Sequence, residues 1–379
     1  MMTTLDKQVL QISERIISEI LANEKVTTVK YDALDTTEGH FTSTVKALEV
    51  FVTSISDCEN KRTMKLIAKV LENRGNDYLK LAFRKENEFY SSLISVYNSI
   101  GLGSYVEASI TPNYFGSNIL STDNEPGLIL LENLKYSGYR VYPERYFDLD
   151  LANFIIYKMS YFHSLGIALK RRNRKSFEED FKNLIEPALL NSNSVDRSSI
   201  NLKLRFEIRI LLQKRPEMEK FCSRVDALLE KIDNMKIPQP KEPFCTLIHN
   251  DLWKNNILIK YHNNIDVLST IDIKLIDFQF VLYNSPIRDL AYFVFSSCCL
   301  EIQKDFRKIA MFYYECFVKN LETLKCDTSE FTESRFIEEV NEYAPTKFKH
   351  LILLMKKTPD IFEERLMDLV KCHAENGFL

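Results

Sequence analysis

The feature that most constrains this chain is a pair of short apolar segments set into a stretch that otherwise reads as helix. Residues 256–260 and 273–277 each have the length and character of a strand, joined by a turn through His262-Asn263-Asn264. Before them, residues 149–169 carry Leu151, Ile155, Phe162, Leu165 and Leu169 on or near one helical stripe. Residues 200–212 and 221–232 are also helical, and so is most of 288–373. Pro238, Pro240 and Pro243 mark a linker that ends helix and starts an extended segment. The larger part of the chain is therefore a helical body with one embedded hairpin. The ends of that hairpin are polar: Asp251 precedes Asn256 by five residues, and Asp277 closes the second segment.

The N-terminal part follows a different pattern. Leu5, Val9, Ile12, Ile16 and Ile20 form one stripe of a helix. Residues 44–52 and 64–70 alternate as strands, with Met64, Leu66, Ala68 and Val70 on one face of the second and Lys65, Ile67 and Lys69 on the other. Residues 77–100 read as a helix, and further strands are expected over 105–111 and 127–131. With 379 residues, two lobes are the default. The expectation is an α+β chain: a small lobe of antiparallel sheet plus helix over residues 1–133, and a larger, mainly helical lobe over 134–379.

Composition narrows the function. A formal charge of -3 lacks the basic excess of a nucleic-acid binder. The basic run Lys170-Arg171-Arg172-Asn173-Arg174-Lys175 reads as a solvated helix end. No apolar stretch reaches the roughly 20 residues that span a bilayer. The eight cysteines show no CxxC pairing and residues 1–7 no apolar leader, which fits a cytoplasmic protein with reduced thiols. Twenty-five Phe and eighteen Tyr predict aromatic-rich cores.

Phosphate transfer from ATP needs a carboxylate to orient the attacking hydroxyl and oxygen ligands for Mg²⁺ on the phosphates. Asp251 and Asn256 supply one of each from a single loop, a spacing that is weak evidence alone. Asp277, twenty-one residues after Asn256, strengthens it, because the hairpin would bring Asn256 and Asp277 to one end as metal ligands. The small lobe should then offer a lysine for the phosphates and a glutamate to position it. Lys69 is the candidate, with Lys65 on the same face as its rival. Leu79, Phe83, Glu86, Tyr90, Leu93 and Tyr97 share one helical stripe, so Glu86 lies on an apolar face where an unpaired carboxylate is costly. Its partner is Lys69, unless Glu86 is a surface residue paired with Lys85 or Arg84.

The motifs together resemble the ecdysteroid kinase-like family, within the choline and aminoglycoside kinase-like group. His249-Asn250-Asp251-Leu252-Trp253 through Asn256-Ile257 resembles its catalytic loop. Leu275-Ile276-Asp277-Phe278-Gln279 and Ser285-Pro286-Ile287-Arg288-Asp289-Leu290-Ala291-Tyr292 resemble its metal-binding strand and the helix after it. Residues 83–90, 130–134 and 162–164 are similar to its Glu-bearing helix, its interlobe hinge and its helix before the catalytic lobe. The resemblance implies a bilobal protein-kinase-like fold, with ATP and Mg²⁺ as cofactors. It implies Asp251 as catalytic base, Asn256 and Asp277 as metal ligands, and Lys69 as the phosphate-binding lysine. The main chain at Glu132 and Leu134 would hold adenine, and Gly39 would belong to the loop over the phosphates. His249 and Asp289 would support the catalytic loop.

The expected acceptor is a small-molecule alcohol, an ecdysteroid or other steroid-like or xenobiotic (glycoside) compound, consistent with detoxification. No obligate protein partner is evident. A choline- or aminoglycoside-type kinase and a catalytically silent pseudokinase-like binding protein are the alternatives. A protein kinase is disfavoured, since His-Arg-Asp, Asp-Phe-Gly and Ala-Pro-Glu are all missing.

Overall fold

A computed structural model of the chain describes residues 3–21, 24–31, 44–54, 61–71, 77–100, 110–119, 125–185, 194–235, 240–261 and 271–379. In chain order its strands are β1 (Glu24–Tyr31), β2 (Thr44–Ser54), β3 (Lys61–Leu71), β4 (Tyr114–Asn118), β5 (Gly127–Glu132), β6 (Arg140–Val141), β7 (Thr246–Ile248), β8 (Ile257–Tyr261), β9 (Ile271–Leu275) and β10 (Leu282–Asn284). They form a five-stranded sheet of order β1-β2-β3-β5-β4, a three-stranded sheet β6-β8-β9 and the pair β7-β10. All pairs in the five-stranded sheet are antiparallel.

One compact unit comprises Met1–Ser99, Gly103–Val141 and Leu258–Phe280. Helix α1 (Thr4–Ile20) opens with a reciprocal capping box between Thr3 and Asp6. Its Val9, Ile12, Ile16 and Ile17 pack on Leu48, Val50 and Val52 of β2 and on Met64, Leu66, Ala68 and Val70 of β3. Ile17, rather than the exposed Ile20, completes the buried row. Beneath α1, Gly116 sits at φ +120° in a bulge of β4, where a Cβ would come within 2.6 Å of Ile16 Cγ2. The alternation of β3 turns Lys69 to the face opposite this core. Helix α2 (Asp77–Glu88) continues through a π-helical turn (Phe89–Leu93) into α3 (Ile94–Ile100), matching the single helix expected there. The π turn carries one extra residue, so that Phe89 and Tyr90 are both buried.

The boundaries differ from the sequence expectation in two respects. Residues 134–141 and 258–280 group with the first unit, because β6, β8 and β9 form one sheet and the Leu275 amide donates to the Ile110 carbonyl at 2.7 Å. Strands β1 and β4 were not expected, and of the strand expected over 105–111 only 110–111 fall within the described residues, where they bend. The turn at 262–264 also lies outside the described residues.

The second unit comprises Ile100–Leu102, Tyr142–Ile257 and Val281–Leu379. Its central helix, α4 (Leu149–Arg172), is capped by Asp148, whose side chain accepts from the Leu151 amide. Ile155, Ile156, Phe162 and His163 on α4 are fully buried, as befits a core helix. The core is aromatic as expected: Phe244 meets Phe331 and Phe336 with ring centroids 5.3 and 5.6 Å apart. The basic run ending α4 is only partly solvated. Lys170 is buried, and its Nζ donates to Glu242 Oε2 at 2.7 Å, the Cys245 carbonyl at 3.0 Å and the Tyr283 hydroxyl at 2.9 Å. The chain returning through residues 242–245 brings an acidic and carbonyl lining that the local sequence does not announce. Among the described residues no helix is long and apolar enough to cross a membrane.

Candidate active site

In the first unit, Lys69, Glu86 and Asp277 meet. Lys69 Nζ lies 2.7 and 2.6 Å from the two Glu86 carboxylate oxygens and 2.6 Å from Asp277 Oδ1. Glu86 is 2% exposed, so the carboxylate on the apolar stripe does take a buried cation. Lys65 instead pairs with Glu49, its cross-strand partner on β2. Asp277 follows β9 in a left-handed conformation, φ +70°. Its Oδ2 accepts from Gln279 Nε2 at 2.9 Å, and the next residue, Phe278, stacks on Phe89 with centroids 3.7 Å apart. That stack fixes Asp277 against the helix bearing Glu86.

Burial works against the Lys69 charge, but Asp277 and Glu86 outweigh it and hold the ammonium above the ordinary lysine range. Burial pushes Glu86 up, while Lys69 pulls it back. Removing one partner of such a buried pair strands the other charge, at a cost of roughly 3–5 kcal/mol. Lys69→Met should therefore lower stability by about that amount in urea denaturation. Adding Glu86→Gln should recover part of the loss. An unchanged midpoint for Lys69→Met would count against a buried charge pair.

In the second unit, β7 leads into the loop carrying Asp251. The Asp289 carboxylate holds that loop: Oδ2 accepts from the His249 amide at 2.6 Å and Oδ1 from the Asn250 amide at 2.7 Å. His163 Nε2 lies 3.3 Å from Asp289 Oδ2, and its Nδ1 lies 2.9 Å from the Tyr313 hydroxyl. A carboxylate only accepts, so the His163 proton belongs on Nε2, with Tyr313 donating to Nδ1. Burial alone would raise Asp289, but the bond from His163 and the surrounding positive charges hold it below the usual carboxylate range. His249 and Asp289 are thus loop supports by geometry. His163 is core and support at once.

Asn256 ends a short 3-10 turn (Lys254–Asn256) rather than opening the strand. Its Nδ2 donates to the Asp251 carbonyl at 2.9 Å and to Asp251 Oδ2 at 3.3 Å, which turns its Oδ1 the other way. Tyr292 hydrogen-bonds the Asp251 carboxylate, and the charges of Lys347 and Lys357 both feel it. Lys357 also lies over the ring of half-buried Trp253, 5.7 Å from its centroid. Lys347, Lys357 and Tyr292 were not singled out from sequence. Tyr292 stands within a quoted motif, but the two lysines follow no local pattern.

At the end of β5, the Glu132 amide is taken by the Asn113 carbonyl at 2.8 Å, and the Leu134 carbonyl accepts from Ser137 and Tyr139. Among the described residues the Leu134 amide meets no acceptor. Gly39 lies outside the described residues.

The sequence profile of the ecdysteroid kinase-like family matches residues 37–326. The chain belongs to the ecdysteroid kinase-like family. As a family member it is a small-molecule phosphotransferase that uses a nucleotide, with an α+β, kinase-like fold. Among solved structures, this kinase-like chain is similar to an ethanolamine kinase of Plasmodium vivax, at 12% identity and TM-score 0.41, covering 93% of this chain and 83% of that one. It is also similar to a macrolide 2'-phosphotransferase of Brachybacterium faecium, at 10% identity and TM-score 0.38, covering 94% and 97%. A third is a putative aminoglycoside phosphotransferase of Ralstonia eutropha, at 11% identity and TM-score 0.40, covering 95% and 98%. Likenesses this distant say nothing about the substrate. No curated protein matches the sequence.

Proposed function

We propose that this chain transfers the γ-phosphate of ATP to a hydroxyl of an uncharged, steroid-like or other xenobiotic alcohol. The observation that carries the reading is the Lys69 ammonium shared between Glu86 and Asp277. A buried lysine held charged by two carboxylates is a ready partner for phosphate oxygens. In this reading Asp251 orients the attacking hydroxyl and accepts its proton, and the Leu134 amide donates to the adenine ring. Glu132 contributes through its main chain, and Gly39 belongs to the segment over the phosphates.

Asn256 and Asp277 are the candidate Mg²⁺ ligands. The donor set fits: Asn256 Oδ1 is directed away from Asp251 while its Nδ2 is engaged, and both residues offer the hard oxygens that Mg²⁺ takes. Bound there, Mg²⁺ would neutralise charge on the transferring phosphate.

Burial lowers Lys357, and burial and Arg288 lower Lys347, while Asp251 supports the charged form of both. Lysines rather than carboxylates facing Asp251 favour an uncharged acceptor over a choline- or aminoglycoside-like one, which would seek acidic surroundings. The test is phosphate transfer from Mg·ATP to a panel of sterols, glycosides and amino-alcohols. Transfer to neutral alcohols is expected; transfer confined to cationic amino-alcohols would overturn the acceptor assignment, and none at all would sink the reading.

A further inference from the structure

Asn250, the residue before Asp251, is left-handed at φ +66°. Only glycine adopts that conformation freely, and asparagine does so when its surroundings hold it. Here both flanking peptide groups are held. The Asn250 amide donates to Asp289, and its carbonyl accepts from Lys347 Nζ at 2.6 Å. The same Nζ donates to Asn250 Oδ1 at 2.7 Å, so one amino group grips main chain and side chain together.

Lys347 is itself fixed. It is 1% exposed, and its Nζ lies 4.8 Å from the centroid of the Tyr292 ring, whose hydroxyl bonds Asp251. It ends a turn (Ala344–Lys347) pinned by Arg288 Nη1, which donates to Thr346 Oγ1 at 2.8 Å. The charged groups around it are Arg288, Asp289 and Asp251. A buried lysine beside an arginine is costly unless its donors are used, and two of the three are spent on Asn250.

We propose that Lys347 is a positioning residue for Asp251: it locks Asn250 in the left-handed conformation and so aims the carboxylate that follows. The proposal rests on the phosphotransfer reading of Asp251. It assigns work to a residue 97 positions from Asn250 in sequence that the proposed chemistry does not itself touch.

The test uses the full chain as wild type, Lys347→Met, and Lys347→Met with Asn250→Gly. Lys347→Met should lose on the order of 10²-fold in turnover through misplacement of Asp251, with the KM for ATP unchanged. Exchange of the Asn250 and Asp251 amides should quicken by about 10-fold or more. Adding Asn250→Gly should restore much of the turnover, since glycine holds the same conformation without the clamp. If Lys347→Met does not fold, Lys347→Gln, which keeps one donor, should show the same changes at smaller size. Wild-type turnover and exchange in the Lys347 variants would overturn the proposal, and so would a loss of turnover that glycine does not recover. If the wild type itself transfers no phosphate, the phosphotransfer reading fails, and exchange alone then decides the clamp.

Discussion

Asp251→Asn is expected to reduce phosphate transfer by roughly 10²–10⁴-fold, the range for losing a positioned general base. The substitution is nearly isosteric. The amide oxygen can still accept from Asn256 Nδ2, and the bond from that same Nδ2 to the Asp251 main-chain carbonyl is untouched. What is removed is the charge that takes a proton from the acceptor hydroxyl, together with the anion that Lys347 and Lys357 face. In the proposed reading Asp251 meets the acceptor rather than the nucleotide, so the KM for ATP should stay near its wild-type value. The two constants are measured together, with transfer to the best neutral alcohol of the panel as readout. Equal turnover in wild type and variant would leave Asp251 without a catalytic role, whatever the rest of the site does.

The parts of the site that were legible in sequence are those where local periodicity and burial cost point the same way. Glu86 falls on the apolar stripe with Phe83, Tyr90, Leu93 and Tyr97, and an unpaired carboxylate there is costly, so a buried cation is the expectation, with a surface pair to Lys85 or Arg84 as the alternative. The sequence did not choose between Lys65 and Lys69, because both point to the same face of β3. Strand register chooses: Lys65 stands opposite Glu49, leaving Lys69 for Glu86. Strand β1 escaped notice for a related reason. A bulge between Val26 and Thr28 breaks the period-2 alternation that identifies a strand. In β4 the glycine demanded by the close approach of Ile16 masks the pattern in the same way. Lys347 and Lys170 were beyond local reasoning altogether. Lys347 lies in an unmarked stretch and Lys170 in a basic run that reads as solvated, and each is buried because distant chain, Asn250 for one and residues 242–245 for the other, supplies its acceptors.

A stability effect as large as that at Lys69 is expected at Asp289, and its pH dependence separates a charge effect from a packing one. Asp289→Ala leaves the His249 and Asn250 amides and the His163 ring without their common acceptor inside a closed core. Bonds to a charged group are worth about 1.5–3 kcal/mol each and are not fully additive, so a loss of roughly 3–5 kcal/mol is expected. The chain has a single tryptophan, Trp253, on the loop that Asp289 braces, so its fluorescence in urea reports the affected region directly. Asp289→Asn keeps the size but presents an NH₂ to donors, and should recover only part of the loss. The folded chain holds Asp289 below the usual carboxylate value, so the unfolded chain takes up the proton first as acid is added. Its contribution is therefore complete above about pH 4, the unfolded value, and drains away as the pH falls through the lowered folded one. The stability gap between wild type and Asp289→Asn should accordingly be constant from pH 7 to about 5 and narrow below about 4. A gap that stays the same down to pH 2 would mean that shape, rather than the carboxylate charge, is what the loop requires from this position.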